Sequence, residues 1–499
     1  MFAKLGRGLS CRNENPAFQI ALFMALAFIL RMATFGHPYL HIDETFYFLV
    51  GEEMHKGAVP YVDIWDRKPF GLFLIYYLIV GVWDNVIAYQ IAATLFAGAT
   101  AWVIFRIASL WGGAQGGWFA GALYLLFLLP MKGYGGQAPV FYNLLIAGAA
   151  LLVLQSIEQL RAGRAPRSIW LAMALAGLAI TIKQTTLFEA AFFGGYAALA
   201  LLRSDIPKAR VIWLVAGFMA VGAAPTLAIS LWYAVAGHWP EYWQAMVTSN
   251  LVRTPPNVQN IYERTLAPLI TISIIIILAI GGLLKPGVSY LRNQRNFVCL
   301  WIISCTTSLV ATPQLALHHF LPLLVPLCAA SGLVLGLRHV GWWAMGASVA
   351  FTLSLGNPWA YGRTQQARVA MDVLAQAITQ HGGERGLFVY SGPSILHSLT
   401  GFRPMSPLVF IGHLSDPNEQ NVSHLNTVSE VKRVLAKQPG VVVLFTFPDS
   451  FTPIAQSHRA VMNYVRASCT LVKAQRYYQF RLSAVAKVYG DCRVADRSA

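Results

Sequence analysis

The feature that most limits how this chain can fold is a series of apolar blocks, each about 16 to 25 residues long. Examples are residues 17–35, 86–105, 140–154 and 265–284. A block of this length can cross a hydrocarbon core of about 30 Å as a single helix. Only 12% of the 499 residues are charged, whereas soluble domains have roughly 25%. The chain is therefore predicted to be a polytopic α-helical membrane protein.

Lys and Arg residues cluster between the blocks and are expected to mark the cytoplasmic side. The clusters are Lys4, Arg7 and Arg12; Arg106; Arg161, Arg164 and Arg167; Arg203, Lys208 and Arg210; Lys285, Arg292 and Arg295; and Arg338. A cytoplasmic N-terminus then gives about eleven transmembrane helices, near residues 17–35, 86–106, 114–130, 139–158, 168–183, 186–202, 210–236, 264–284, 297–312, 319–337 and 341–356. The excess of 37 Lys and Arg over 21 Asp and Glu follows from this loop bias, so no nucleic-acid partner is expected.

One apolar stretch, residues 69–82, is too short to span comfortably and would reverse the topology of everything after it. We interpret it as an interfacial or re-entrant helix on the outer side, with Trp83 at headgroup level. The first extracytoplasmic loop then covers about residues 37–85. A transmembrane catalytic domain is predicted over residues 1–356.

A soluble extracytoplasmic domain is predicted over residues 357–499, where the composition becomes more polar. Helical and strand patterns alternate there, which favours a small α/β domain. The predicted helices are residues 363–380, 428–437 and 454–466, and the predicted strands are residues 386–390, 441–446 and 479–488. Cys469 and Cys492 lie in this region, and a disulfide or two free buried thiols are both compatible with its position.

Two motifs of the first outer loop, residues 41–45 and 61–69, together hold six charged side chains among aromatic residues. They are Asp43, Glu44, Asp63, Asp66, Arg67 and Lys68. A solvated loop would carry such charges without any function. Charges held at membrane depth by neighbouring apolar segments are usually functional, however. A carboxylate can accept the proton of an attacking hydroxyl, and Lys68 or Arg67 can neutralise a phosphate leaving group, so the loop suits transfer from a phosphate-linked donor.

Other polar residues on the predicted outer face are weaker candidates for the same site. They are Gln137, Lys183, Arg253, His318 and His319. A snorkelling anchor explains Lys183 equally well, and either His could simply satisfy a neighbouring carbonyl. The sequence leaves the metal ligands, if there are any, unknown.

The first-loop motifs resemble those of the GT-C superfamily of membrane glycosyltransferases. The resemblance is to the family of protein O-mannosyltransferases and of bacterial aminoarabinose transferases acting on lipid A. An Asp-Glu pair like Asp43-Glu44 and a Lys-Pro-Pro-Leu motif like Lys68-Pro69-Phe70-Gly71 are its signatures. Phe70 replaces the second Pro, and Arg67 stands where an acidic residue often precedes the Lys.

Two later segments add to the resemblance, which covers roughly residues 20–335. Residues 136–143 are similar to the family's loop before the fourth span, where many members have an acid at Gln137. His318 and His319 open a segment similar to the family's late segment of His or Tyr, Leu and Pro.

The resemblance implies a GT-C-like fold and an inverting transfer from a polyprenyl-phosphate-linked sugar. Asp43 would be the base beside Glu44, and Lys68 would bind the donor phosphate, with Arg67, Arg253, His318 and His319 as further candidates. The acceptor would be an envelope glycolipid, a polysaccharide or a protein. A divalent metal is left open, and the place would be a bacterial inner membrane with the site facing the periplasm.

Three other classes of function remain as alternatives. A transporter or flippase of lipid-linked saccharide would share the many crossings, although polar residues near mid-span and internal repeats would be expected. An oligosaccharide ligase with a lipid pyrophosphate donor would need more cations around two phosphates. A non-catalytic envelope scaffold would tolerate substitution of Asp43, Glu44 and Lys68.

Overall fold

The computed structural model describes residues 15–252, 258–284, 292–311, 316–446, 451–479 and 483–493. The chain forms two compact units, each built from three separate stretches of sequence. Unit 1 comprises Met1–Met32, Ala92–Ile229 and Pro255–Trp359. Unit 2 comprises Ala33–Ile91, Ser230–Thr254 and Ala360–Ala499. One change of unit therefore falls close to residues 356 and 357, where the sequence predicts a domain boundary.

The helices in chain order are α1 (Pro16–Arg31), α2 (Ile42–His55), α3 (Phe70–Val82), α4 (Val86–Leu128), α5 (Ala138–Arg161), α6 (Arg167–Ile182), α7 (Leu187–Leu202), α8 (Lys208–Val235), α9 (Trp239–Trp243), α10 (Ser249–Leu251), α11 (Val258–Thr271), α12 (Ser273–Leu284), α13 (Arg292–Val310), α14 (Leu321–Leu335), α15 (Arg338–Leu355), α16 (Tyr361–Gly382), α17 (Ile395–Thr400), α18 (Thr427–Ala436) and α19 (Ala455–Ser468). The strands are β1 (Leu387–Val389), β2 (Val441–Phe445), β3 (Thr470–Tyr478) and β4 (Ser483–Gly490). A short 3-10 helix, Leu317–Phe320, precedes α14.

A helix lies at each of the eleven predicted crossings. The second and third are two parts of α4, which breaks at Gly113, where φ is 65° and ψ is −170°. The eighth is the pair α11 and α12, bent by 62°. By length and composition, six of the described helices can cross a membrane, or seven if the bent pair is one span. The exact number of crossings stays a prediction.

Glycines bring α4 and α14 into close contact within unit 1. Gly112 and Gly116 lie on either side of the break at Gly113, and a Cβ on them would lie 2.1 and 2.3 Å, respectively, from the carbonyl oxygen of Gly332. A Cβ on Gly336 would lie 2.1 Å from the carbonyl oxygen of Gly112. Small residues at such a crossing let two membrane helices pack backbone against backbone. These four positions therefore have no room for a side chain unless the helices separate.

Unit 2 contains a four-stranded sheet in the order β1-β2-β4-β3. β1 runs parallel to β2, while β4 is antiparallel to both of its neighbours. α16 packs against β3 and β4, and α18 packs against α19. All six helices and strands predicted in the C-terminal segment are present within a few residues of their expected positions. The predicted small α/β fold is confirmed, but β3 was not predicted.

The remaining elements of unit 2 come from the first predicted outer loop and from residues 230–254. α3 confirms the helix predicted between residues 69 and 82, and its interfacial placement stays a prediction. α2, which precedes it, was not predicted. Cys469 and Cys492 form a disulfide near the ends of α19 and β4, so the bonded alternative holds in this structure.

Candidate active site

The N-terminus of α2 holds the two carboxylates that the sequence singled out. His41 caps this helix, and its Nδ1 accepts a hydrogen bond from the backbone N–H of Asp43 at 3.3 Å. Asp43 and Glu44 occupy the first turn, where negative charge interacts favourably with the positive end of the helix dipole. The two charges are thus held by a helix rather than by an irregular loop.

Asp43 and Lys68 form an ion pair beside the ring of Tyr47. The Nζ of Lys68 lies 3.8 Å from Oδ1 of Asp43 and 5.5 Å from the centroid of the Tyr47 ring. Tyr47 follows Asp43 by one helical turn, so both side chains lie on the same face of α2. A direct N–H···O hydrogen bond would be about 2.7–3.2 Å long, so the 3.8 Å distance is too long for one. The Lys68 ammonium can therefore donate its hydrogens to another oxygen atom. The Lys68 side chain is 21% exposed and that of Asp43 is 10% exposed, so a ligand can reach both.

The hydroxyl group of Tyr47 keeps its proton. Burial raises the pKa of Tyr47 well above its ordinary value, and the nearby carboxylates of Asp43 and Asp66 raise it further. Because the phenol stays neutral, it cannot compete with Asp43 as a proton acceptor. Tyr47 instead contributes an aromatic face to the Lys68 ammonium, which is a favourable contact.

Glu44 has a different environment from Asp43, although the two residues are adjacent. Successive residues of a helix point about 100° apart, so the two carboxylates face different neighbours. Glu44 is fully buried, and its charge acts on the hydroxyl of Tyr76 in α3. Asp43 is therefore the more accessible member of the pair. The catalytic role of Glu44 stays a prediction.

Residues 59–69 form a tight loop that fixes the backbone of Lys68. The hydroxyl of Tyr61 donates to the Lys68 carbonyl at 2.9 Å, and Oδ1 of Asp66 accepts from the Lys68 backbone N–H at 3.1 Å. Oδ2 of Asp63 accepts from the backbone N–H of Val59 at 2.8 Å. Tyr61 has a φ of 72°, which is uncommon for an aromatic residue and is held by this surrounding structure. Asp66 is buried inside the loop, whereas Asp63 is exposed.

Arg67 already faces a carboxylate in the C-terminal segment. Its Nη1 lies 3.1 Å from Oε1 of Glu419, and its Nη2 lies 2.5 Å from Oε2 of the same residue. The guanidinium also lies 5.8 Å from the ring of Trp65. Its Nε has no hydrogen-bond partner among the residues that the structure describes. Binding of a donor phosphate by Arg67 therefore stays a prediction, since both of its terminal nitrogens already donate to Glu419.

Four of the predicted site residues belong to unit 1. Gln137 is buried at the N-terminus of α5, and its amide nitrogen has no hydrogen-bond partner within the described parts of the chain. Lys183 is half-buried and ends α6. His318 and His319 lie in the 3-10 helix before α14 with ring centroids 4.5 Å apart, and Nδ1 of His319 accepts from the backbone N–H of Ala316. Arg253 lies outside the described residues.

Three residues of the site were not predicted as site members. They are His41, Tyr47 and Glu419. His41 could have been found as a helix cap two residues before an acidic first turn, and Tyr47 as the residue one turn after Asp43. Glu419 carries no comparable signal, since 352 residues separate it from Arg67 in sequence. Chemically, the site combines the accessible carboxylate of Asp43, the ammonium of Lys68 beside it and the protonated phenol of Tyr47. This combination suits proton removal next to an anionic leaving group.

The overall fold is similar to that of two solved structures. No family model matches the sequence, and no curated protein matches it either. Two structures of ArnT from Cupriavidus metallidurans each align with 95% of this chain and 98% of their own. The apo structure has a TM-score of 0.62 at 14% identity, and the structure bound to undecaprenyl phosphate has a TM-score of 0.60 at 15% identity.

These matches confirm the GT-C-like fold that the first-loop motifs implied. The chain is a polytopic helical membrane protein with a small sheet-containing C-terminal segment. At 14–15% identity the likeness concerns the fold.

Proposed function

We propose that this chain is a glycosyltransferase that moves a sugar from a polyprenyl-phosphate-linked donor to an acceptor on the extracytoplasmic face of the membrane. The ion pair between Asp43 and Lys68 carries the proposal, because it sets a proton acceptor next to a cation that can hold a phosphate. The GT-C-like fold supports it, as does the binding of undecaprenyl phosphate by the structurally similar ArnT.

The proposed reaction is a single displacement with inversion. The acceptor hydroxyl attacks the anomeric carbon as Asp43 takes its proton, and the bond from that carbon to the phosphate oxygen breaks. The polyprenyl phosphate leaves with the electron pair of the broken bond, and Lys68 stabilises its charge. The three donors of the ammonium make no hydrogen bond with described residues, which leaves them available for the phosphate.

Both groups are close to the start of apolar elements, which suits a donor anchored by a lipid chain. Lys68 lies two residues before α3, and Asp43 lies in a helix that begins shortly after α1. A polyprenyl chain keeps its phosphate at the membrane interface, within reach of groups at that level. We propose a periplasmic location in a bacterial inner membrane, where the disulfide of Cys469 and Cys492 could persist.

The test compares envelope glycans and lipid-linked sugars by mass spectrometry in a strain that lacks the protein. The strain is complemented with the native chain, with Asp43→Asn or with Asp372→Asn at matched expression. Asp372 is exposed on α16 and serves as the control carboxylate. Asparagine cannot accept a proton at neutral pH, so Asp43→Asn should reduce transfer by at least about 100-fold.

The native chain and Asp372→Asn should restore one glycan modification, while Asp43→Asn leaves it missing and its lipid-linked donor accumulated. Equal restoration by all three chains would show that Asp43 is not the base. The transporter and scaffold alternatives would then account better for the protein.

A further inference from the structure

The C-terminal segment contacts the Lys68 loop at three points within unit 2. The backbone N–H of Trp65 donates to the carbonyl of Pro407 at 2.9 Å. The rings of Trp65 and His413 meet edge to face with centroids 5.0 Å apart. The third contact is the ion pair between Arg67 and Glu419. Pro407, His413 and Glu419 therefore contact the two residues that flank Asp66 in the loop.

The Arg67–Glu419 pair has the geometry of a strong and specific contact. Both terminal nitrogens of the guanidinium face both oxygens of the carboxylate, which is the bidentate arrangement that fixes orientation. The two side chains are only 8% and 14% exposed. When a buried pair of this kind loses one member, the other is left as an uncompensated charge and has to move toward water.

His413 is a neutral neighbour of the pair formed by Arg67 and Glu419. His413 is buried against Trp65, and burial lowers the pKa of its imidazole to about 4, so the ring carries no charge at neutral pH. The nearby carboxylate of Asp66 would repel Glu419 rather than stabilise it. The guanidinium of Arg67 is a cation in direct contact with Glu419.

A displacement of Arg67 would pass directly to Lys68, the next residue. Adjacent Cα atoms are about 3.8 Å apart and joined by a planar peptide, so one cannot move far without the other. The backbone of Lys68 is also held by Asp66 and Tyr61 in the same loop. The side chain of Lys68 therefore extends to Asp43 from a backbone position that is held in place.

We propose that Glu419 is a positioning residue for the transfer reaction, acting through Arg67 to hold Lys68 where it meets the donor phosphate. The proposal rests on the proposed function and gives the C-terminal segment a direct part in it. In the family that the sequence resembles, an acid often stands at the position of Arg67. In this chain that position holds a cation, and residue 419 supplies the carboxylate that faces it.

The test measures the affinity of the purified full chain in lipid nanodiscs for undecaprenyl phosphate, followed by native mass spectrometry. Four variants are compared with the native chain: Glu419→Gln, the swapped pair R67E/E419R, Lys68→Gln, and the control Glu430→Gln. Glu430 is also a buried carboxylate with a bidentate arginine partner, Arg433, three residues along the same helix α18. Size-exclusion profiles and apparent melting temperatures verify that each variant is folded.

Positioning predicts that Glu419→Gln weakens lipid binding by about tenfold, the value of one charge-assisted hydrogen bond to phosphate. Lys68→Gln should weaken lipid binding at least as much as Glu419→Gln does. The swapped pair should recover most of the native affinity, and Glu430→Gln should bind the lipid like the native chain. If Glu419→Gln misfolds, the swapped pair decides, since it keeps the ion pair with reversed polarity. Native-like binding by the folded swapped pair supports positioning, and a tenfold loss contradicts it.

If Arg67 itself binds the phosphate, Glu419→Gln should have the opposite effect on the affinity for the lipid. Without the Glu419 carboxylate, Arg67 would be released toward the ligand, and Glu419→Gln would bind the lipid as tightly as the native chain or more tightly. If the native chain binds the lipid and Glu419→Gln binds it equally well or better, the positioning role of Glu419 is overturned. The proposed donor class is then unaffected. Absence of binding by the native chain would overturn the proposed donor class, and the positioning role with it.

Discussion

Glu52, near the C-terminal end of α2, gives a prediction of a stability change whose size depends on pH. The side chain is 8% exposed, and it accepts a hydrogen bond from the hydroxyl of Ser398 in α17. Burial raises the pKa of this carboxyl from 4.5 to about 7, and the neighbouring carboxyl of Asp84 adds to the effect. Ser398 and the ammonium of Lys56 oppose the shift but do not cancel it.

The raised pKa means that the carboxylate form of Glu52 destabilises the folded chain. Below pH 4.5 the group is protonated in both states, so the cost is absent. Between pH 4.5 and about 7 the folded chain retains a proton that the unfolded chain has lost, and stability falls as pH rises. Above about pH 7 the full cost applies, and the shift corresponds to about 3 kcal/mol.

Glu52→Gln should therefore stabilise the protein at high pH. The amide has the shape of the protonated carboxyl, can accept from Ser398 and donate toward Asp84, and never ionises. We expect the variant to be more stable than the native chain by about 3 kcal/mol at pH 8 and by less than about 1 kcal/mol at pH 5. Apparent melting temperatures in detergent at the two pH values measure the difference.

Glu53→Gln is the matched control because the adjacent carboxylate is equally buried but paired with Lys56 at 2.8 Å. Removing a paired carboxylate should lower the melting temperature at pH 8 instead of raising it. The reasoning is refuted if Glu52→Gln has the same effect at both pH values, or if it destabilises the protein at pH 8.

Three further predictions concern other parts of the chain. Cys469 and Cys492 should resist alkylation by a maleimide reagent until a reductant is added, and labelling without reductant would contradict the extracytoplasmic placement. Arg31→Leu should lower stability by about 2–4 kcal/mol in denaturant melts, since it leaves two buried backbone carbonyls without their guanidinium donor, and a neutral effect would contradict this. Gly116→Val should lower the yield of folded protein in size-exclusion profiles because its side chain would meet Gly332, whereas a native profile would show that the helices can separate.

Much of the fold could be predicted from the sequence because lipid imposes a simple rule on length and polarity. The apolar blocks place a helix at every predicted crossing. The C-terminal elements follow from their periodicity, with the exception of β3. That strand lies at the edge of the sheet and is mostly exposed, so residues 470–478 show no clear apolar alternation. An edge strand is stabilised by its partner β4 rather than by its own pattern.

The candidate site was predicted less completely. Asp43 and Lys68 were chosen separately from one loop, and the structure brings them together. The different environments of Asp43 and Glu44 could not be predicted, because they depend on which side of α2 faces α3, and α2 itself was not predicted. The partner of Arg67 could not be predicted either, since nothing in the residues around position 419 identifies a contact so distant in sequence.

The alternation of the two units along the chain has a consequence for biosynthesis. The loop with Lys68 is made early, whereas Glu419 is made 352 residues after Arg67. At about 5–20 residues per second, ribosomes need roughly 20 to 70 seconds to produce this intervening stretch. During that interval the nascent chain has its apolar blocks available for insertion but lacks the carboxylate that completes the loop. If the proposed positioning role holds, a chain released before residue 419 would be inserted but would bind the donor phosphate more weakly than the complete chain.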